Sequence, residues 1–467
     1  MSTIPIPARQ VEVKDRYDVI VVGGGLSGIC AAIASARAGA KTLLVERSGS
    51  LGGVITLNGM ISSVNTFFNG HGELLVRGIG EELFDALAEM DAAPAGWKSH
   101  IVSHIPHNAD AFQIVAGRKL RAARVDVLLM TAVTDVSIDQ DRITHVICHS
   151  KAGCLAFFGK TFVDASGDCD LVAMSGAPYR YKPPMRTTLL FEMENVDLDA
   201  AFQHFCDHPE DYDEERDGAT PYEDFRSNFL ERDIFFIPHN SGCRIKPIQK
   251  AIEDGLYARK KGSGDRLDAF GLFGRRSTRR LLVNSNFYYP DVLEDAFSVS
   301  NALLEGREQC FETAAMLQQV MPGFADACIA RIFPELGIRA TRMAVNRDEV
   351  SVDHDNPAQY PDVIGMASHS EQRNHSLSNV ELPFSIMVPQ RIANLLVGSG
   401  KSLPHRTRYQ PFCMVIGQAA GAAAALAAQT DLSRIWELPI KPLQRLLLTQ
   451  GVYLGNEARQ AELDLQD

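Results

Sequence analysis

Three features of this 467-residue sequence predict an α/β fold in which a parallel sheet carries a small antiparallel meander and is interrupted by an inserted α+β domain. A strand, a glycine-rich turn, a helix and a second strand follow one another from Tyr17 to Gly53. A cluster of short strand patterns fills Val125 to Asp164. An isolated apolar strand, Ile392 to Val397, then runs into an alanine-rich helix long after the other strands have ended.

The first unit begins with Val19 to Val22, an unbroken apolar run after Asp18, as expected of a strand buried on both faces. Gly23, Gly25 and Gly28 follow at G-x-G-x-x-G spacing. The first allows a tight turn, the second lets the backbone approach a pyrophosphate, and the third lets the following helix pack closely on the strand. Leu26 and Ser27 open that helix, expected over Leu26 to Ala38, and its free N–H groups favour an anion without any basic side chain. Lys41 to Val45 is a second strand and ends in Glu46. A carboxylate there accepts hydrogen bonds from adenosine ribose hydroxyls and repels a 2′-phosphate. A glycine turn that only tightens a βαβ unit is the alternative reading; the in-register strand, helix and acid favour a Rossmann-like dinucleotide site.

Glu46-Arg47 followed by SGSLGG, with Gly52 and Gly53, resembles the FAD-binding oxidoreductases of the glutathione-reductase-like superfamily. The resemblance implies FAD as the cofactor, with the loop after the second strand lying along it.

Composition narrows the classes. A net charge of −12 argues against nucleic acid or an anionic membrane as partner. Nine cysteines with no C-x-x-C or C-x4-C pair exclude zinc knuckles, ferredoxin-type clusters and a one-turn redox disulfide, and predict reduced thiols in a cytoplasmic protein. Met1 to Asp15 lacks an apolar signal core, and no run of 18 apolar residues predicts a membrane span.

Ile55 to Asn69 is expected to cover the cofactor, and a helix is expected over Gly80 to Met90. His100, His104 and His107 have no carboxylate cluster nearby, so they read as solvated loop residues or a substrate contact, and no metal is expected. Val125 to Met130, Val133 to Ile138, Ile143 to His149, Cys154 to Phe158 and Thr161 to Asp164 read as a third parallel strand, a meander and a fourth parallel strand. The last runs into VDASGDCD, similar to a V-D-A-T-G-D-G-D segment of FAD-dependent oxidoreductases. Ser166, Gly167 and Asp168 are its candidate cofactor contacts, with Val133 of the meander, while Cys169 replaces the usual glycine.

The insertion holds a strand pattern at Thr187 to Met193, an acidic aromatic stretch from His208 to Tyr222, and the basic cluster Arg275 to Arg280. That cluster reads as a solvated turn or as a pocket for an anionic substrate. It precedes a strand pattern at Leu281 to Asn286. A long helix pattern, Ser298 to Val320, stops at Pro322-Gly323. GIGEEL at Gly78 to Leu83, MPGF at Met321 to Phe324 and GIRATR ending at Arg342 complete a resemblance, over nearly the whole chain, to a large FAD-dependent oxidoreductase family. That family carries G-x-R-E-T-R-R where this chain has Gly337 to Met343. Arg339 and Arg342 remain, whereas Ala340 and Met343 thin the acid–arginine network around the substrate. Arg339 is a candidate catalytic residue on this basis.

The strand Ile392 to Val397 returns to the first domain. GSGKS is not a P-loop, since Leu395 stands where a glycine is needed. The resemblance instead puts Gly400 and Lys401 near ribityl and phosphate, Lys401 supplying a cation. Pro411 suits the first turn of a helix over Phe412 to Ala427, and Gly417 and Gly421 let it lie against another backbone. In the resembling flavoproteins such a helix N-terminus, here with Gln410 and Phe412, faces the flavin pyrimidine edge and eases formation of the reduced anion. His405 in the preceding loop is the candidate base, and Arg408 and Tyr409 are candidate orienting groups; a solvated loop is the alternative for each.

The expected domains are 16–180, the first part of the FAD-binding domain; 181–390, the insertion; 391–430, the last strand and helix; and 431–467, a tail helix. The expected activity is hydride transfer between a small organic substrate and flavin N5, by a dehydrogenase or oxidase. Without a second G-x-G-x-x-G a built-in pyridine-nucleotide domain is not expected, and oxygen, a separate acceptor or NAD(P)H bound without that motif completes the cycle. A flavin-bearing hydratase or isomerase, and a monooxygenase or halogenase, are the alternatives; the second lacks a tryptophan pair, as only Trp97 and Trp436 occur. A flavin subunit of an electron-transfer complex fits poorly without cysteine clusters. A homo-oligomer is left open.

Overall fold

The computed structural model describes residues 4, 10–61, 67–69, 71–99, 105–183, 185, 187–212, 222–237, 245–257, 271–284, 286–287, 295–339, 341–348, 350, 352, 357–368, 379–403 and 406–466. Strand β1 (Glu12–Val22) is the centre of a seven-stranded sheet. After helix α1 (Leu26–Arg37), β2 (Thr42–Val45) pairs with β1 in parallel, Val22 opposite Val45. Helices α2 (Ile79–Glu89) and α3 (Ala109–Ala122) lead to β3 (Asp126–Leu128) at the outer side of β2. Strands β4 (Ala132–Asp139) and β5 (Arg142–Ser150) form the meander with β6 (Gly153–Asp164), which also pairs in parallel with β1. The closing strand, Leu395–Val397, lies parallel to the end of β6.

The chain departs from expectation at β6. Cys154 to Phe158 and Thr161 to Asp164 are one continuous strand. The Gly159-Lys160 pair stays extended because β1 starts as early as Glu12 and pairs alongside, Arg16 opposite Phe158 and Tyr17 opposite Gly159. A Cβ on Gly159 would stand 2.7 Å from the Phe162 ring, so this glycine makes room for an aromatic side chain and marks no turn. Helix α3 was not expected either. Asn108 caps it, accepting from the backbone of Asp110 and Ala111, and Phe112, Val115, Ala116 and Leu120 give it a buried face.

His107 just before α3 is no solvated loop residue. It is 3% exposed, its ring edge-on to Phe84 and tilted against Phe112, and its Nδ1 is bonded to the Ile105 carbonyl. Burial drives its pKa from 6.5 down to about 4. The unfolded chain therefore binds this proton first as pH falls, and stability is lost between about pH 6.5 and pH 4, by up to about 3 kcal/mol. His107→Phe is expected to flatten that part of the stability profile in denaturant unfolding at pH 7 and pH 4.5; an unchanged difference would contradict the assignment. His100 and His104 lie outside the described residues.

A second buried cluster spans Leu189 to Leu336 around a five-stranded antiparallel sheet and the helix Ala296–Val320. The basic cluster is the turn of its hairpin Gly271–Arg275 to Arg280–Asn284, and three of its four arginines pair with acids, while Arg279 is exposed. Arg275 pairs with Asp91 and Asp233, Arg276 with Asp199, and Arg280 with Glu194. From Ala344 onward most buried apolar residues belong to the first cluster again, while Met366 and Tyr453 pack in a small cluster with Leu75. The helix Ile440–Thr449 joins that cluster through Leu443 and Leu447, and Gln450 beyond it donates to the Ala34 carbonyl of α1.

The closing helix, Gln410–Gln429, is long and apolar enough to cross a membrane by composition, but 94% of the apolar stretch is buried inside the protein. It packs on α1 through glycine. A Cβ on Gly417 would overlap the carbonyl of Ser27, and one on Gly421 the carbonyl of Ala31. Since Ser27 to Ala31 and Gly417 to Gly421 advance together, the two helices run parallel. Both N-termini therefore open on the same edge of the sheet.

Candidate functional site

The registers place the C-terminal ends of β1, β2, β6 and the closing strand side by side, at Val22, Val45, Asp164 and Val397. This is the edge at which open α/β sheets bind ligands, and a cleft with about 1340 Å³ of space, part of it open to solvent, lies there. Gly23 has φ +107° and, with Gly28, packs so tightly that a Cβ on either would overlap backbone. Gly25 differs. A Cβ there would meet only the Gly53 Cα, at 3.8 Å, so Gly25 and Gly53 together form bare backbone wall. Gly52 holds the two segments together, its N–H donating to the Gly24 carbonyl at 2.8 Å.

Helix α1 starts at this wall with no side-chain cap, so its first N–H groups remain for an anion. Leu26, Ser27 and Glu46 line the same cleft. The carboxylate of Glu46, 6% exposed, accepts from Gly24 N at 2.6 Å and Ser48 N at 2.7 Å. Each of its oxygens keeps a second lone pair for a ligand hydroxyl.

Asp164 was not singled out as a site residue, yet it organises the turn that follows β6. It is fully buried and accepts from Ser166 N, Ser166 Oγ and Val172 N, while burial pushes its carboxyl up to about 6. That network holds Ser166 and Gly167 on the cleft wall. Asp168 lines it too. Burial opposes ionisation of Asp168, but the Lys401 ammonium 2.8 Å away outweighs burial and holds the carboxyl below its usual range. Lys401 is thus already paired with an acid, which alters its expected role as a free cation for phosphate.

Across the cleft, Gln410 opens the closing helix at 3% exposure. Its Nε2 donates to the Met60 carbonyl at 2.8 Å, but its buried Oε1 has no partner among the described residues. A buried amide oxygen in a cleft wall calls for a donor from a ligand. Gln410 precedes Gly417 by seven residues and Leu26 precedes Ser27 by one, so at 1.5 Å per residue the closing helix begins about 9 Å beyond α1.

Arg47, Arg339, Arg408 and Tyr409 also line the cleft. Val133, Gly28, Gly52, Gly400 and Phe412 do not line it: Val133 pairs with Cys148 within the meander, and Phe412 is fully buried. His405 lies outside the described residues. Sequence reasoning missed Asn58 and Glu335, which join the two clusters at the cleft. Asn58 donates to the Leu336 carbonyl, and Glu335 pairs with Arg47 at 2.6 Å. Glu335 stands only two residues before Gly337; a lone asparagine gave no signal.

Bare glycine backbone, two uncapped helix starts on one cleft, a buried acid at the end of β2 and an orphaned amide oxygen fit a bound dinucleotide with a hydrogen-bonding ring system. Fold and cleft together define a dinucleotide-binding α/β protein. The family described as FAD dependent oxidoreductase matches residues 18–447, so the chain belongs to it, and its cofactor is FAD.

Among curated proteins, it is 35% identical over 160 residues to a thiamine thiazole synthase of Desulfosudis oleivorans, covering 32% of this chain and 55% of the relative. It is 46% identical over 56 residues to a digeranylgeranylglycerophospholipid reductase of Methanocaldococcus jannaschii, covering 12% and 14%. The chain thus spans about half the length of the first of these relatives and far less of the second. A myxobacterial FAD-dependent chondrochloren halogenase is similar in structure, with a TM-score of 0.47 and 14% identity over 93% of this chain and 78% of that one.

Proposed function

We propose that this oxidoreductase, of the glutathione-reductase-like superfamily, transfers a hydride between a small organic substrate and FAD, as a dehydrogenase or oxidase. The observation that carries the proposal is the parallel helix pair whose N-termini open about 9 Å apart on one cleft. Glu46 would hold the adenosine ribose, and Gly25, Leu26 and Ser27 at the start of α1 would hold the pyrophosphate. Gly23, Arg47, Gly53, Ser166, Gly167, Asp168 and Lys401 would complete that wall, with Gly28, Gly52, Gly400 and Phe412 shaping it from behind. Bound FAD supplies the two-electron acceptor, at N5 of its ring. Gln410 and the start of the closing helix would meet the pyrimidine edge, where a positive helix end favours negative charge.

Arg339, Arg408 and Tyr409 would orient the substrate. His405 is proposed from the sequence alone to handle the accompanying proton. The proposed division keeps 16–180 and 391–430 for the cofactor and 181–390 for the insertion that covers the substrate, with 431–467 appended. Oxygen or a separate acceptor would take the electrons, and a cytoplasmic setting is proposed from the scattered thiols.

The test is anaerobic mixing of the yellow holoprotein with pools of small metabolites. Bleaching of the flavin band is expected with the substrate. Turnover without bleaching would show non-redox chemistry, and a need for reductant plus oxygen would show monooxygenation; either result overturns the proposal.

A further inference from the structure

We propose that the substrate is a small organic oxyanion, a carboxylate or phosphate monoester, held by the guanidinium of Arg408. The inference rests on the reading above, that FAD and its substrate share this cleft. Arg408 is half-buried on the cleft wall and pairs with no carboxylate among the described residues. Its guanidinium carbon lies 4.8 Å from the centre of the ring of its own neighbour, Tyr409.

The cations around it are engaged. Arg47 pairs with Glu335, Lys401 with Asp168 and Arg342 with Asp170, while Lys182 donates to the Lys401 carbonyl. Arg408 therefore adds an uncompensated charge to a group of like charges. Lys182 registers this: burial first, then Lys401, and more weakly Arg408, bring its pKa down to about 8. A cation kept partly out of water with no internal acid is stabilised by an anion that arrives.

Position separates this anion from the cofactor's own phosphates. Arg408 stands two residues before the closing helix, whose start lies about 9 Å beyond the α1 N-terminus to which the pyrophosphate is assigned. The orphaned Oε1 of Gln410 sits two residues further on. Arg339 lines the same cleft. The arginines of the 275–280 turn offer no comparable site: Arg275, Arg276 and Arg280 are paired with acids, and Arg279, without an acid among the described residues, is exposed and lies off the cleft.

The experiment titrates the holoprotein with acetate, succinate and inorganic phosphate, with acetamide as neutral control, and reads the visible difference spectrum of the flavin. A saturable perturbation by one or more anions and none by acetamide is expected; carboxylate or phosphate preference identifies the oxyanion. Arg408→Gln should keep its flavin and weaken anion binding on the order of ten- to a hundredfold, with Arg408→Lys in between. Absence of any anion effect on the yellow wild-type protein overturns the inference while leaving the proposed function standing. Equal anion affinity in wild type and Arg408→Gln overturns it as well. Loss of flavin from both variants would put the arginine on the cofactor's pyrophosphate and also overturn it. A wild-type protein that takes up no FAD would instead bring down the underlying reading.

Discussion

Gly421→Ala is expected to lower the unfolding free energy by roughly 3 kcal/mol and to release the flavin, because the new methyl group must displace the Ala31 carbonyl of α1. Gly417→Ala should act in the same direction through Ser27. The two helices cannot move apart locally. The closing helix is buried along nearly its whole length, and its start forms one cleft wall while α1 forms the other. A control separates this from ordinary helix propensity. Gly117 lies inside α3 with nothing within 4 Å of an added Cβ, so Gly117→Ala should stabilise by about 1 kcal/mol. Chemical denaturation read alongside flavin absorbance checks all three. Gly421→Ala behaving like Gly117→Ala would contradict the close helix contact.

Glu46→Ala is expected to weaken FAD binding to the apoprotein by on the order of a hundredfold. The loss has two sources. The backbone N–H groups of Gly24 and Ser48 lose their buried acceptor, which loosens the glycine turn, and the ribose loses its carboxylate. Glu46→Gln should fall between, since its amide oxygen serves one N–H while its NH₂ faces the other. Fluorescence titration with FAD measures the affinity; a change within twofold in the alanine variant would place the adenosine elsewhere.

The part of this fold that could be read from sequence is the part buried on both faces. Val19 to Val22 and Thr42 to Val45 have no solvent side to demand alternation, so they appear as plain apolar runs, and the glycines between them have positions that only a tight βαβ turn explains. The continuity of β6 was hidden because Gly159-Lys160 resembles a break unless the polar stretch before Val19 is known to pair beside it. Helix α3 carries a helical spacing of buried positions at Phe112, Val115, Ala116 and Leu120, interrupted in the sequence by Gly117.

At the site, the glycines and Glu46 were legible because their roles are local. The Asp168–Lys401 pair and the bond from Gln410 to Met60 join residues hundreds of positions apart, and neither partner advertises the other. The spacing of Gly417 and Gly421 announced a close contact, but only the fold names α1 as the neighbour and makes the pair parallel. The burial of His107, next to a proline in a histidine-bearing loop, depends on Phe84 and Phe112 from two different helices.

The most direct measurement of the central claim is the flavin stoichiometry of the purified chain. The protein is unfolded, the released nucleotide is identified by mass, and its amount is compared with the protein before and after reconstitution with FAD. One FAD per chain, at wild-type level and reduced in Gly421→Ala and Glu46→Ala, is the predicted result. A colourless protein that takes up no FAD on reconstitution would contradict it.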